Sequence, residues 1–287
     1  MLKNYFKIAF RNIIRHKAYS FLNISGLAIG MACSIFILLW VQNERSYDKA
    51  HPDSERLFRL TVYVEDFIAA VTPAGIAEGL QEAIPEIETT VRTSATKNRL
   101  FEYRNVKFDE KDVYYADSNF LQVFSYPLVK GNASTALQRS DAVVITETIA
   151  KKYFGDDDPM GKIIRISNEQ NLTVTGVISD NSPKSHLKLN FLMPMSALYP
   201  SDNDLKTKTY GNFNFYTYIK LKENTDLSDA KIKALNSKVQ AVYLKHNPDG
   251  LKPGFNLQPI EDVHLKSNLQ IDNADRGNVQ YVKIFFV

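Results

Sequence analysis

A long run without charge near the amino terminus constrains this 287-residue chain more than any other feature. No charged side chain occurs within Ala18–Asn43. At about 1.5 Å per helical residue, the stretch Phe21–Val41 would span roughly 31 Å, the thickness of a bilayer core. Tyr19 and Trp40 stand near its two ends, as interfacial aromatic residues do. The sequence therefore predicts a transmembrane helix within residues 18–46.

A cleaved signal peptide is the main alternative for this run. Signal peptides have a shorter apolar region that is followed by a site of the form small-x-small. Here the apolar run ends in Trp40–Glu44, which contains no such site. A lipoprotein signal ending at Cys33 also fails, because the residues after Cys33 stay apolar. The length and the flanks favour a membrane helix that remains in the protein.

Basic residues are concentrated before the apolar run. Residues 1–17 hold five Lys or Arg and no acid, whereas residues 42–60 hold four basic and four acidic side chains. Because short cytoplasmic segments are enriched in Lys and Arg, we expect a cytoplasmic amino terminus and a main domain on the other side of the membrane. Without the first 17 residues the chain has 30 basic and 32 acidic residues, a net charge of −2. Nothing in the sequence therefore demands a nucleic-acid partner.

The first 17 residues also have a helical pattern. Lys3, Lys7, Arg11 and Arg15 recur at a spacing of four. The opposite face is apolar or aromatic, with Leu2, Tyr5, Phe6, Ala9, Phe10, Ile13 and Ile14. Such a helix lies in the membrane plane, with its cations on anionic lipid and its aromatic side chains in the acyl boundary. The alternative is a charged flank that only sets topology.

Small residues form a stripe inside the predicted membrane helix. Gly26, Gly30 and Ser34 recur every four residues, and small residues allow another helix to approach closely. The alternative is that these residue types are simply common in membrane helices. If the stripe packs, it predicts partner helices. The apolar segment 281–287 is either a final strand or the first turns of a second, truncated membrane helix.

Residues 47–280 are predicted to form a folded α+β domain. Leu57–Glu65 and Asn212–Leu221 alternate apolar and polar residues, as half-buried strands do. Further strands are predicted at residues 88–97 and 255–260. The order of these strands and of the helices between them gives two strand–helix–strand units that bracket the domain.

Two helices complete these units. Thr72 is predicted to cap the first, with Pro73 at its first helical position and Pro85 as its stop. Ser228 is predicted to cap the second, which ends at Asn247.

The middle of the domain is predicted to be rich in short strands. Short strands are predicted at residues 106–109, 113–116, 142–145, 162–167 and 172–178. One helix, Glu147–Phe154, has Thr146 as its cap and Gly155 as its stop. We expect residues 106–190 to form a strand-rich lobe inserted into a first lobe of residues 47–105 and 191–280. The polar stretch 199–210 is predicted to be a mobile loop.

No catalytic constellation is present in the sequence. The stretch Gly155–Ile163 has five residues between its glycines instead of four, three aspartates and no magnesium-binding hydroxyl, so it is not a phosphate loop. The five histidines are scattered, and the one cysteine, Cys33, lies in the apolar run. We therefore expect no enzyme activity, no cofactor and no metal. An extracytoplasmic domain without cysteine is normal in bacteria, which favours a bacterial envelope protein.

Several stretches together resemble the MacB/FtsX-type permeases of ABC transporters. The opening residues 4–30 and the stretch Tyr47–Arg59 are similar to the start of the first membrane helix and to the beginning of the core domain in that family. The most specific match runs from Asp117 to Lys162 and includes Asp117–Phe124, Leu128–Gly131, Val143–Glu147 and Asp158–Lys162. Thr173–Val177 and Leu257–Leu265 complete the resemblance, which covers essentially the whole chain.

The resemblance implies an inner-membrane permease whose periplasmic domain has a porter-like lobe and an inserted strand-rich lobe. It implies a separate ABC ATPase, and either a second permease copy or the second half of a longer chain. A periplasmic or outer-membrane partner fits the same family. The function would be export, efflux or handling of an envelope substrate, and the alternative is a single-pass receptor with an extracytoplasmic sensing domain.

Overall fold

The computed structural model describes residues 2–104, 106–167, 170–182, 184–274 and 276–285. It divides into two units. The first comprises the residues up to Ser46 together with those from Asn278 onward. The second, Tyr47–Gly277, is called the main domain below.

The helices and strands alternate along the chain. The helices are α1 (Leu2–Arg15), α2 (Lys17–Glu44), α3 (Ile76–Ala83), α4 (Phe120–Val123), α5 (Glu147–Phe154), α6 (Asn203–Thr207), α7 (Asp229–His246), α8 (Ile260–Lys266) and α9 (Val279–Phe285). The strands are β1 (Leu57–Val64), β2 (Phe67–Ala69), β3 (Val71–Pro73), β4 (Ile87–Ser94), β5 (Lys97–Tyr103), β6 (Val106–Ala116), β7 (Leu128–Gly131), β8 (Ala142–Thr146), β9 (Ile163–Ile166), β10 (Gln170–Ile178), β11 (Phe191–Pro194), β12 (Phe213–Leu221) and β13 (Gly254–Pro259).

In the first unit, α1 and α2 are separated at His16, whose backbone (φ −114°, ψ 54°) is not helical. Helix α2 is long and apolar enough to cross a bilayer. Residues 279–285 form a helix, so the alternative of a final strand is wrong. The ring of Phe285 meets Trp40 edge-on, with 6.0 Å between centroids. Residues 286 and 287 of the predicted segment lie outside the described residues.

An open antiparallel sheet forms one part of the main domain. Its strands lie in the order β13-β1-β12-β4, with β2 beside β1 and β3 beside β12. Leu80 of α3 and Val239 of α7 bury their side chains against Leu60 and Ile219 of the sheet. The free edge of β13 is covered by α7, because the side chain of Asn236 accepts the N–H of Leu257.

Six of the remaining strands close into a barrel. Starting from β5, each strand pairs with the next in the order β5-β6-β11-β8-β10-β9, and β9 pairs back with β5. The interior is filled by apolar side chains such as Phe101, Ile145 and Phe191. Helix α5 packs Ile149 and Phe154 onto this cluster. The barrel strands extend past both ends of the range 106–190 that the sequence predicts for the insert.

A shared core joins the sheet to the barrel. Tyr114 and Leu192 from barrel strands pack in one buried cluster with Leu57 and Tyr218 from the open sheet. The backbone link between the two parts is narrow, since Thr93 of β4 pairs with Ala116 of β6. Because the main domain is one compact unit, its division into two lobes stays a prediction.

Tertiary pairing overrides the local signal at Thr72 and Pro73. Both residues lie in β3, opposite β12, and the Thr72 hydroxyl donates to the carbonyl of Phe215 at 3.0 Å. The predicted cap at Thr72 is therefore wrong, and α3 begins at Ile76. Ser228 does precede α7, but its hydroxyl bonds Asp226 instead of capping the helix.

Three other local predictions concern a cap, a loop and a pair of strands, and the structure confirms only the cap. The cap of α5 is as predicted, because the Thr146 side chain accepts the N–H of Ile149 at 3.3 Å. The stretch 199–210 contains α6, which Asp202 caps by accepting the N–H of Leu205. The two short strands predicted at 106–109 and 113–116 are one strand, β6, because β5 pairs along most of its length.

Candidate functional site

The main domain buries a carboxylate just after its first residue. Asp48 is fully buried, and its backbone N–H donates to the carbonyl of Lys184 at 2.9 Å. Its φ of +60° lies in the left-handed region, which aspartate tolerates better than most residues. Burial by itself would raise the pKa of Asp48, but His186, together with the Ser185 hydroxyl and the nearby His51, holds that pKa well below its usual range.

A chain of buried polar contacts starts at this carboxylate. Asp48 Oδ1 accepts from the Ser185 hydroxyl at 2.7 Å and lies 2.9 Å from His186 Nδ1. A carboxylate only accepts, so His186 Nδ1 carries the proton of that contact. The other ring nitrogen of His186, Nε2, lies 2.8 Å from the hydroxyl of Tyr218 on β12. The first residues of the domain are thus connected to the centre of the open sheet.

His51 extends the chain on the other side of Asp48. Its Nδ1 lies 2.6 Å from the carbonyl oxygen of Phe124, so Nδ1 is the donor there. Its Nε2 lies 3.4 Å from Asp48 Oδ1, which is close enough for an ion contact but makes no hydrogen bond. The segment from Asp48 to His51 is therefore held at both of its ends. Ser185 and His186 hold Asp48, and the carbonyl of Phe124 holds His51.

A second buried ion pair holds the last residues of the domain. Arg59 of β1 has no exposed surface, and its guanidinium forms contacts of 2.5 and 3.2 Å with the two carboxylate oxygens of Asp272. Burial raises the pKa of Asp272, but Arg59 and the Ser267 hydroxyl outweigh it and lower that pKa. Asn273 reaches both groups, at 3.4 Å from Arg59 and 3.5 Å from the Tyr218 hydroxyl. The two networks meet at Asn273.

The first and last residues of the main domain meet at His264 on α8. The ring of Tyr47 stacks on the ring of His264, with 3.5 Å between centroids and 3° between planes. The backbone N–H of Gly277 donates to the carbonyl of His264 at 2.9 Å. His264 is 3% exposed, so this junction is internal to the domain. Tyr47, His264 and Gly277, with the two networks above, are called the junction site.

Sequence reasoning did not identify the junction site as a site. The stretches containing Tyr47, Asp48, His51 and His264 carried the family resemblance, and the structure brings these four residues to one end of the domain. His186 and Asp272 gave no local signal, because their charged partners, Asp48 and Arg59, lie more than a hundred positions away.

The predicted site residues belong to the first unit. Lys3, Lys7, Arg11 and Arg15 lie on α1 and are exposed. Gly26, Gly30 and Ser34 lie on α2, where the Ser34 hydroxyl donates to the carbonyl of Gly30. Space is open beside Gly26 and Gly30, where an added Cβ would meet nothing within 4 Å. Their lipid and helix contacts remain predictions.

The acidic stretch after α5 forms a network of surface ion pairs. Asp156, Asp157 and Asp158 contact Lys151, Lys162 and Lys130, respectively. The aspartates are thus already paired. Within the described ranges, no group of three His, Cys, Asp or Glu side chains is placed to hold a metal ion.

Comparison with known families decides the identity. The model of the MacB-like periplasmic core domain matches residues 20–235. The chain belongs to this family. A search of curated proteins gives no match.

Three solved structures share the fold. A domain ascribed to a permease protein from Porphyromonas gingivalis has a TM-score of 0.62 and 21% identity, and covers 73% of this chain and 92% of its own. The periplasmic region of MacB from Actinobacillus actinomycetemcomitans has a TM-score of 0.53 and 17% identity, with coverage of 77% and 94%. The extracellular domain of the noncanonic ABC-type transporter YknZ from Gram-positive bacteria has a TM-score of 0.50 and 17% identity, with coverage of 70% and 99%.

The MacB-like family gives the chain its general role. Proteins of this family are components of ABC-type transporter permeases, which are not themselves classical enzymes. Together with the apolar helix α2, the family indicates a membrane protein with an extracytoplasmic domain. The receptor alternative is not favoured by these findings.

Proposed function

We propose that this chain is a permease subunit in which a separate ABC ATPase drives movement of the main domain, for export, efflux or handling of an envelope substrate. Membership of the MacB-like family supports the transporter class. The observation that carries the mechanical part is the junction site, where the first and last residues of the domain are fixed to the same histidine, His264.

The junction site suits the transmission of force. In the sequence, α2 leads into Tyr47 and α9 follows Gly277, so both connections to predicted membrane helices leave from one place. A displacement of either connection acts on His264 through a ring stack or a backbone hydrogen bond. The buried pairs at Asp48 and Arg59 then distribute the displacement into β12 and β1.

The packing of the main domain supports a rigid response. Sheet and barrel share a buried cluster, and close-packed interiors transmit strain because they compress little. We propose that the porter-like part and the strand-rich part, predicted as separate lobes, tilt together as the junction moves.

The first unit supplies the membrane contacts in this proposal. Helix α1 lies on the cytoplasmic face of the inner membrane, with Lys3, Lys7, Arg11 and Arg15 toward anionic lipid. Helix α2 crosses the bilayer and presents its small-residue stripe, Gly26-x-x-x-Gly30-x-x-x-Ser34, to a partner helix. The partner is a second permease copy or a second half of a longer chain, and a periplasmic or outer-membrane protein contacts the main domain.

Hydrogen–deuterium exchange of the chain purified with its ATPase tests this function. Trapping the ATPase with ATP and vanadate should change amide exchange in residues 47–51 and 264–277 together. Co-purification that yields no ATPase, or exchange at the junction that ignores nucleotide, would refute the proposal.

A substitution at the junction sharpens the test. Tyr47→Ala removes the ring stack, so the nucleotide response of residues 264–277 should fall while ATP hydrolysis continues. Tyr63→Ala is the matched control, because Tyr63 is a half-exposed tyrosine on β1 outside the junction. An equal effect of both variants would argue against a special role for the stack.

A further inference from the structure

A cleft opens in the main domain where the open sheet meets the barrel, away from the junction site. Its volume is about 440 Å³, within the range of small-molecule sites. Ser94, Ala95, Lys97, Arg99, Val113, Tyr115, Leu198, Asp202, Asn214 and Phe215 line it.

The cleft exists because a ladder of backbone hydrogen bonds is interrupted. Thr93 pairs with Ala116, and the next pair along the same two chain segments is Lys97 with Val113. Between these pairs the N–H of Tyr115 donates to the Ser94 hydroxyl at 3.1 Å instead of to a backbone carbonyl. The strands therefore spread apart without leaving this N–H unpaired.

The floor of the cleft is apolar. Val113 and Phe215 are 1% and 2% exposed, and the half-buried side chains of Leu198 and Tyr115 extend this surface. A body of aliphatic or aromatic groups placed here would remove the remaining exposed apolar area of Leu198 and Tyr115 from water.

The rim of the cleft carries two cations, Lys97 and Arg99, two positions apart on β5. Neither Lys97 nor Arg99 has a carboxylate partner within 4 Å among the described residues, whereas Arg92 and Arg59 of the same domain are paired. Arg99 contacts the Tyr115 hydroxyl. The one acid of the lining, Asp202, already accepts the N–H of Leu205 at the start of α6.

We propose that this cleft binds an anionic amphiphile, a molecule with an apolar body on Leu198 and Tyr115 and one carboxylate or phosphate between Lys97 and Arg99. Because neither cation is paired with a carboxylate of the described residues, both can form charge-assisted hydrogen bonds with a ligand, and the arginine fork suits either head group. The inference depends on the cleft alone and stands whether or not an ATPase drives the domain.

The test measures binding of small probes to the full chain in lipid nanodiscs, with empty nanodiscs as the blank. Phenylbutyrate and 4-phenylbutyl phosphate should bind, and the stronger of the two identifies the preferred head group. Phenylbutanol and phenylbutylamine share the apolar body but lack the negative charge, so they should bind at least about tenfold more weakly. Equal binding of the alcohol or the amine overturns the proposal.

Charge-removing variants locate the site. Lys97→Gln combined with Arg99→Gln should weaken binding of the anion at least about tenfold without changing the unfolding temperature. The matched control is Lys233→Gln with Lys245→Gln, two exposed cations on α7. Loss of affinity in the control, or none in the cleft variant, contradicts the assignment to this cleft.

Discussion

Arg59 and Asp272 lie 213 positions apart in the chain and form a buried ion pair, with 2.5 Å between Arg59 Nη1 and Asp272 Oδ1. Removing one partner leaves the other charge buried without compensation. We expect Asp272→Ala to lower the free energy of unfolding by about 3 kcal/mol or more. Thermal or denaturant unfolding of the chain in nanodiscs, followed by circular dichroism, measures this loss.

A double substitution separates the pair from its surroundings. Arg59→Met with Asp272→Leu removes both charges and keeps apolar volume, so it should destabilise the domain less than Asp272→Ala alone. If the double variant is the less stable of the two, the hydrogen bonds to Gln258 and Ser267 matter more than the charge pair.

The stability of the main domain should fall in acid because of Asp48. Its pKa is below the ordinary value in the folded state, while an unfolded aspartate titrates near about pH 3.9. Above that pH both states are ionised and the contribution is fully present. As the pH falls below it, the unfolded chain takes up the proton first and stability is lost. Asp272 acts with the same sign.

Asp48→Asn tests this assignment. The variant should be less stable at neutral pH, and its stability should depend less on pH below about 4 than that of the wild type. The measurement is the unfolding midpoint across an acid series. If the acid dependence of stability is unchanged in the variant, other carboxylates cause most of the loss of stability in acid. Glu86 is one candidate, because Lys238 and Lys231 lower its pKa to about 2.

Two glycines with positive φ should differ in their tolerance of alanine. Gly131 (φ +93°) would place a Cβ 2.5 Å from the carbonyl oxygen of Thr175, whereas a Cβ at Gly155 (φ +63°) would meet nothing within 4 Å. Gly155→Ala should cost about 1 kcal/mol of stability from backbone strain alone. Gly131→Ala should cost clearly more, because β7 must also move away from β10. Equal losses would exclude the steric component.

Helix α1 should be protected by anionic lipid if it lies on the membrane. Replacing Lys3, Lys7, Arg11 and Arg15 with Gln removes about 1 kcal/mol of surface attraction per residue. Amide exchange of residues 3–15 should then be faster in anionic nanodiscs and unchanged in neutral ones. Exchange that ignores both lipid charge and substitution would favour a flank that only sets topology.

Local signals in the sequence predict much of the fold. The alternation in β1 and β12 and the cap at Thr146 act over a few residues, so they survive in the structure. Thr72 shows the limit, since its hydroxyl pairs with Phe215 143 positions away instead of capping a helix. Closure of the barrel depends on parallel pairing of Phe191 with Val113, and no local pattern encodes that contact.

The junction site illustrates the same limit for function. Each of its polar residues looks like an ordinary surface residue in the sequence, and only the fold buries them as partners. His186 lies 138 positions from Asp48, for example, and no spacing rule connects the two. Tyr47, Asp48, His51 and His264 lie in stretches that carried the resemblance to a family, but the resemblance gave them no role.

Barrel closure has a consequence for the survival of this protein outside the cytoplasm. An open strand edge is a template on which other chains aggregate. Strands β5 and β11 each have neighbours on both sides, and α7 covers the edge of β13. Cys33 is the one cysteine of this sequence, so no disulfide bond can form within it. Its protection against misassembly in the envelope therefore rests on topology.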